Sequence, residues 1–265
     1  MGFVRLLKIS FLLFPAQTFA QVDSSRIFTS FDGTKIHFEL NGKGKTVVLI
    51  HGFIVDGESW KRTALYDELL MAGFQVITLD MRGNGQSGKP HDPQAYANDA
   101  EAKDIMGLVS RLGLRKYSII GYSRGSIIVS RLLVLDKRVN KAVMGGMGSD
   151  FTNPEWPRRK MFYRALMGDS VPELKAMVKN VQASGLDQLA LAYLQKEQPS
   201  TSKEALSKVK QRVLVICGRD DSDNGSAEDL SRLIPKAVFK TIPGDHGGAV
   251  RTREFAEAVK LFLTH

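Results

Sequence analysis

A chain of 265 residues, 43% hydrophobic and 25% charged, with 24 glycines, nine prolines and one cysteine, is long and apolar enough for one large α/β domain or two small ones. This composition excludes intrinsic disorder, a collagen-like repeat and a disulfide framework, and no apolar run reaches the roughly 20 residues of a membrane-spanning helix. The formal charge of +9 raises nucleic acid as a partner, but the 37 basic residues are scattered among 28 acidic ones with no basic–aromatic run and no zinc-finger or helix-turn-helix pattern, so the excess reads as a solvated positive surface.

Residues 1–20 carry Arg5 and Lys8, then a short apolar core over residues 9–14, then Pro15, with Thr18 and Ala20 at positions −3 and −1 of a cleavage site before Gln21. The core is too short for an ordinary span and no stop-transfer pattern follows, so a removable secretory signal is expected, and with it a periplasmic or secreted protein. No cysteine stands near the cleavage point to take a lipid. The lone Cys217 lies in an apolar strand pattern and reads as a small core residue.

Residues 26–31 and 34–40 alternate apolar and polar side chains around Asp32-Gly33, a hairpin signal. Residues 46–50 (TVVLI) form a continuous apolar run, as expected of a strand buried on both faces. The same type recurs at 75–79, 117–120, 141–144, 212–217 and 238–242. Helices are expected between them. Asn98 and Glu101 have capping-box spacing ahead of Ala102, Ile105, Met106, Val109 and Leu112, with Gly113 as the stop. Phe255, Val259, Phe262 and Leu263 mark the apolar face of a last helix. A leading hairpin followed by strand–helix alternation implies an α/β fold: a mostly parallel sheet with helices on both faces. Residues 149–210 break the rhythm with amphipathic pieces at 161–167, 171–181 and 186–194, and read as a helical cap inserted in a core of residues 21–148 and 211–265.

Two nucleotide motifs fail on context. Gly83 to Gly88 satisfies GxGxxG after a strand, but Pro90 and Pro93 preclude the helix start on which a pyrophosphate would sit. Gly83 to Lys89 fits GxxxxGK, but Pro90 stands where a P-loop needs a hydroxyl for magnesium. The glycines are expected to serve a tight turn.

Gly121-Tyr122-Ser123-Arg124-Gly125 lies between the strand at 117–120 and a helix-forming run at 126–135, the order of a nucleophile elbow. A serine at such a turn needs glycines two residues before and after it to avoid collisions. It also needs a base, and the base needs a carboxylate to hold its tautomer. Both follow downstream: Asp220 and Asp221 after the strand at 212–217, and His246 in a glycine-rich loop after the strand at 238–242. Each group stands beyond the carboxyl end of a core strand, where open α/β sheets build their sites.

With these motifs, with His51-Gly52-Phe53 after the third strand and with Asp80-Met81-Arg82-Gly83-x-Gly85-x-Ser87 after the fourth, the sequence resembles the cap-bearing serine hydrolases of the α/β-hydrolase superfamily over nearly its whole length. The resemblance implies Ser123 as nucleophile, His246 as general base and acid, and Asp221 as the acid partner, three residues beyond the strand-ending glycine, with Asp220 as competitor. It also implies an oxyanion hole from the backbone N–H groups of Phe53 and Arg124. His51 is expected to be structural and Trp60 and Tyr66 to be packing residues; Arg158-Arg159-Lys160 either attract an anionic substrate or face solvent, and solvent is the favoured reading. No partner is assigned to His37 or His91. Neither a metal nor a cofactor is expected, since the histidines lack ligand spacing.

Relatives with an aspartate at the elbow attack alkyl halides or epoxides, whereas a serine makes acyl transfer the natural chemistry. The implied activity is hydrolysis of a small carboxylic ester, thioester or lactone through an acyl-enzyme. Carbon–carbon bond hydrolysis and cofactor-free perhydrolysis use the same triad, and a non-catalytic receptor or scaffold would be marked by a missing triad member, which is not the case here. Base catalysis by His246 needs a neutral imidazole, so activity is expected to fall below about pH 6.5. The oligomeric state is not legible.

Overall fold

The computed structural model describes residues 25–265, so the leader read at residues 1–20 lies outside the described residues. Strands β1 (Ser25–Thr29) and β2 (Lys35–Asn41) form the antiparallel hairpin, with Ile27 opposite His37. At its turn Gly33 adopts φ +86°, and the Asp32 carboxylate accepts the Thr34 N–H at 3.1 Å. Then come β3 (Thr46–Ile50), α1 (Glu58–Lys61), α2 (Ala64–Met71), β4 (Gln75–Leu79), α3 (Ala100–Arg111), β5 (Tyr117–Tyr122), α4 (Arg124–Leu135) and β6 (Val139–Gly145). Four helices separate β6 from the next strand: α5 (Pro157–Leu166), α6 (Lys175–Ala183), α7 (Gln188–Lys196) and α8 (Lys203–Leu206). The chain finishes with β7 (Arg212–Gly218), α9 (Ala227–Arg232), β8 (Ala237–Ile242) and α10 (Arg253–Thr264).

The eight strands of the described residues form one sheet in the order β1-β2-β4-β3-β5-β6-β7-β8, antiparallel through the β2–β4 pair and parallel from β4 onward. This is the mostly parallel α/β architecture expected from the sequence. The uninterrupted apolar runs follow from covering both sheet faces, because successive strand residues point to opposite sides. Val48, Ile50, Ile77, Ile119 and Val215 pack with Ile105, Ile128 and Leu132 of α3 and α4. Their neighbours Val47, Leu49, Val76, Ile120 and Ile216 pack on the other face with Leu65 and Leu69 of α2 and with Phe255 and Val259 of α10. Each such side chain, fully buried, contributes about 1.5–3 kcal/mol of transfer free energy.

The capping box at Asn98 and Glu101 does not form. Asn98 and Asp99 both adopt left-handed φ (55° and 61°), the N-cap is Asp99, and it makes no side-chain cap. Both acids have stronger partners: Asp99 takes Arg131 of α4 at 2.6 and 2.7 Å, and Glu101 takes Arg124. Cys217 is partly buried on β7 against the core.

Residues of α5, α6 and α7 make a third apolar cluster. Leu166, Val181, Leu191 and Leu194 pack on Tyr96, in a short 3-10 turn (Pro93–Tyr96), and on Phe53 and Ile54 after β3. The helical segment thus rests on two loops at the carboxyl ends of β3 and β4.

Candidate active site

β5 leads into α4 through Ser123, whose φ of +51° and ψ of −124° are unusual for a residue with a side chain. Such a conformation costs on the order of 1–3 kcal/mol and persists only where the surroundings over-determine it. Here the Ser123 N–H donates to the Gly145 carbonyl at 2.8 Å, and the Ser126 hydroxyl is within bonding distance of the Gly121 and Gly145 carbonyls at 3.0 and 2.9 Å. A Cβ at Gly121 would lie 2.4 Å from the Gly125 carbonyl, and one at Gly125 would lie 2.4 Å from the Ile50 carbonyl oxygen. Both glycines are sterically obligatory.

The loops after β7 and β8 bring the other two groups to this turn. His246 Nε2 is 2.9 Å from Ser123 Oγ, and His246 Nδ1 is 2.9 Å from Asp221 Oδ2. An ionised carboxylate only accepts, so Nδ1 carries the proton and Nε2 is left to accept from the serine hydroxyl. Tyr122 steadies the histidine: its hydroxyl donates to the His246 carbonyl at 2.7 Å and its ring lies 5.7 Å from the imidazole. Asp221 accepts the Asp223 N–H at 3.3 Å. Burial pushes the Asp221 carboxyl up, but the His246 hydrogen bond and charge, the Asp223 N–H and the Arg158 charge outweigh it, leaving its pKa below the usual carboxylate value. Asp220 is exposed and contributes only its N–H, to the Gly244 carbonyl at 3.1 Å, so the structure sets Asp221 and not Asp220 against the imidazole.

Phe53 and Arg124, whose backbone N–H groups are the expected oxyanion donors, line one cleft with Ser123. A Cβ at Gly52 would lie 3.4 Å from Ser123 Cβ, so the loop carrying Phe53 passes in contact with the serine, while Arg124 opens α4. Neither N–H donates to a backbone carbonyl among the described residues. His51 is buried beneath this loop: Nδ1 donates to the Gly52 carbonyl at 2.7 Å and Nε2 accepts the Met81 N–H at 3.0 Å. That pairing needs a neutral ring, and burial lowers its pKa accordingly. Trp60 and Tyr66 are buried as expected.

Several partners escaped the sequence. His37, which had none assigned, lies 3.0 Å from Asp80, whose carboxylate also accepts the Gly57 and Gln86 N–H groups at 2.8 and 2.7 Å. His91 pairs with Asp187 at 2.8 Å, joining the loop after β4 to the start of α7. Both acids are distant in sequence from their histidines, so no local pattern signals them. The GxGxxG loop closes around Asp80, leaving no phosphate cradle: a Cβ at Gly85 would be 2.3 Å from Asp80 Oδ2, and Lys89 folds back onto the Gly85 carbonyl at 2.5 Å. Arg82, fully buried, forks onto Asp104 at 2.6 and 2.7 Å and reaches Asp32 at 2.8 Å. The side chain of Arg124 forms a buried pair with Glu101, at 2.6 and 2.5 Å, and donates to the Leu194 carbonyl of α7 at 3.1 Å. Among the described residues, no cluster of three or more His, Cys, Asp or Glu could hold a metal ion, and no helix is long and apolar enough to cross a membrane.

Two clefts meet at Ser123, Phe53 and His246. One is walled by residues of the sheet domain such as Val55, Trp60, Tyr122 and Val250. The other, smaller, lies under α5 and α7 and is walled by Met147, Trp156, Phe162, Arg158, Arg159 and Gln198 among others. This corrects the expectation that the basic triplet faces solvent. Lys160 is exposed, while Arg158 and Arg159 are half-buried in the cleft wall, because consecutive residues of a helix diverge and α5 turns only part of its face outward.

Residues 45–175 match the sequence model of the family described as alpha/beta hydrolase fold. The chain belongs to the α/β-hydrolase superfamily. It is 35% identical over 137 residues to a non-heme haloperoxidase of Rhodococcus erythropolis, covering 48% of this chain and 47% of that protein. It is 34% identical over 97 residues to the bifunctional epoxide hydrolase 2 of Sus scrofa, covering 37% of this chain and 17% of that one. These matches span less than half the length of either relative. Among solved structures, an esterase from Exiguobacterium antarcticum superposes with a TM-score of 0.75 at 21% identity, over 90% of this chain and 99% of that one, a likeness of fold.

Proposed function

We propose that this α/β-hydrolase is a serine hydrolase that cleaves a carboxylic ester, thioester or lactone through an acyl-enzyme. The observation that carries the reading is the unbroken line from Ser123 Oγ through the His246 imidazole to the Asp221 carboxylate, 2.9 Å at each step. His246 takes the hydroxyl proton as Oγ adds to the acyl carbon, and Asp221 holds the tautomer and balances the imidazolium charge. The developing oxyanion meets the N–H groups of Phe53 and Arg124, each of which supplies on the order of 3 kcal/mol to such a transition state. His246 then protonates the leaving oxygen, and a second round with water releases the acid. A hydroxyl nucleophile at the elbow favours acyl transfer over opening of an epoxide, despite the epoxide hydrolase among the relatives.

Labelling with a fluorophosphonate, wild type against Ser123→Ala, tests the reading. A Ser123-dependent adduct is expected, and its absence would leave the scaffold reading. The haloperoxidase relative favours a second use of the same acyl-enzyme, its capture by hydrogen peroxide to release a peracid, which peracid formation from an ester and peroxide would reveal. We also read residues 149–210 as a lid over Ser123 and residues 1–20 as an export leader. Amino-terminal sequencing of the exported protein should begin at Gln21.

A further inference from the structure

The smaller cleft beside Ser123 combines an apolar wall with cationic groups. Among the described residues, three arginines line it and no carboxylate does. The charge of Arg124 is spent on Glu101, which grips both terminal nitrogens. Arg158 and Arg159 are not so engaged. The nearest acid to Arg158 is Asp223 at 3.4 Å, with the two side chains 34% and 45% exposed, a geometry in which an ion pair is worth little. Arg159 has no ion pair within 4 Å among the described residues; it donates to the neutral Gln198 carbonyl at 2.9 Å, which holds the guanidinium against the cleft without satisfying its charge. Phe162 supports Arg158 from below, 5.0 Å from its guanidinium carbon. Two guanidinium groups that share the cleft wall with Met147, Trp156 and Phe162 present forked donors and positive charge beside apolar surface.

We propose that this cleft selects a small ester or lactone that bears a second, ionised carboxylate, with Arg158 and Arg159 holding that carboxylate while Ser123 attacks the acyl carbon. The inference rests on the hydrolase reading for its reaction but not for its binding site. The net positive charge of the chain, +7 without the leader's Arg5 and Lys8, favours the approach of such an anion.

The test compares anionic esters with neutral counterparts of similar size by pH-stat titration. Monomethyl glutarate is set against methyl pentanoate, with the carboxylate on the acyl side, and 4-acetoxybutyrate against butyl acetate, with it on the alcohol side. At least one anionic ester should have a kcat/KM about tenfold or more above its neutral counterpart, since a hydrogen bond to a charged group is worth that much. The preference should shrink as sodium chloride is raised and the charges are screened. Arg159→Gln and Arg158→Gln should collapse the preference ratio through KM, Arg159→Lys should restore part of it, and Lys160→Gln, which removes one exposed charge next door, should leave the ratio as it was. In parallel, glutarate should quench Trp156 fluorescence saturably in the wild type and weakly in Arg159→Gln. If neither ester of either pair is hydrolysed but glutarate binding depends on Arg159, the anion site stands and the hydrolase reading falls. If the neutral esters are hydrolysed as well as the anionic ones, or if Lys160→Gln lowers the preference as much as Arg159→Gln, the hydrolase reading stands and the anion site is overturned.

Discussion

The sheet core and the helical segment between β6 and β7 both supply groups around Ser123, but they hold them by different means. In the core, backbone does the positioning: Ser123 is pinned by the Gly145 carbonyl, and Gly121 and Gly125 are the only residues that fit. In the helical segment, side chains reach out to do it: Arg159 donates to the Gln198 backbone carbonyl, Arg158 rests on the face of Phe162, and the Arg124 side chain donates to the Leu194 backbone carbonyl of α7. Chemistry that tolerates little displacement sits on the first kind of support, and recognition that must differ between substrates sits on the second.

The largest expected break in this contrast is Ser123→Ala. If the core carries the reaction alone, ester turnover should fall by about 10⁶-fold in steady-state assays, with the melting temperature little changed or raised as the residue is relieved of nothing but its hydroxyl. A residual rate within about tenfold of wild type would place the nucleophile elsewhere.

Next in size is the joint between the two regions. Glu101→Ala leaves the Arg124 guanidinium buried without its carboxylate, a change that typically costs about 3–5 kcal/mol. Urea unfolding should report that loss. Because Arg124 both opens α4 and touches α7, the variant should also raise KM, joining the two kinds of support in one phenotype.

Gly125→Ala probes the core's backbone support directly. The added methyl meets the Ile50 and His51 carbonyl oxygens at 2.4 and 2.7 Å, so β3 and α4 must part; about 1–3 kcal/mol of stability and most of the activity should be lost together. Truncation in the helical cluster, Leu191→Ala, should behave otherwise: about 2–5 kcal/mol of local packing is removed, and the effect should appear in KM and in hydrogen exchange of α5 to α7 before it appears in the global transition.

The same division explains what was legible in the sequence. The continuous apolar runs announced β3 and β4 to the residue, since both sheet faces are covered and no alternation dilutes the signal. Glycines flanking Ser123 and the loops bearing Asp221 and His246 were legible because steric necessity writes itself as residue type at fixed spacing. Side-chain pairings were not. Glu101 had the spacing of a cap and serves instead as the partner of Arg124, 23 residues away, and Asp80 gathers His37 and the Gly57 N–H, 43 and 23 residues away, as well as the nearby Gln86 N–H. Arg158 and Arg159 were indistinguishable from Lys160 by composition; only the orientation of α5 separates the two that line the cleft from the one in solvent.

The smallest expected effect concerns pH and stability. The Asp221 pKa lies below the ordinary carboxylate value in the folded protein, since burial, which raises it, is outweighed by His246, the Asp223 N–H and Arg158. A group with a depressed folded pKa contributes stability that is fully present above its unfolded pKa, about 3.9, and is lost as the pH falls through the lower folded value. Melting temperatures measured from pH 6 down to pH 3 should therefore decline more steeply below about pH 4 in the wild type than in Asp221→Asn, which has no proton to take up there. Equal slopes would mean that the carboxylate is not held against His246 in solution, and the core would then rely at this one point on the same adjustable side-chain support as the helical segment.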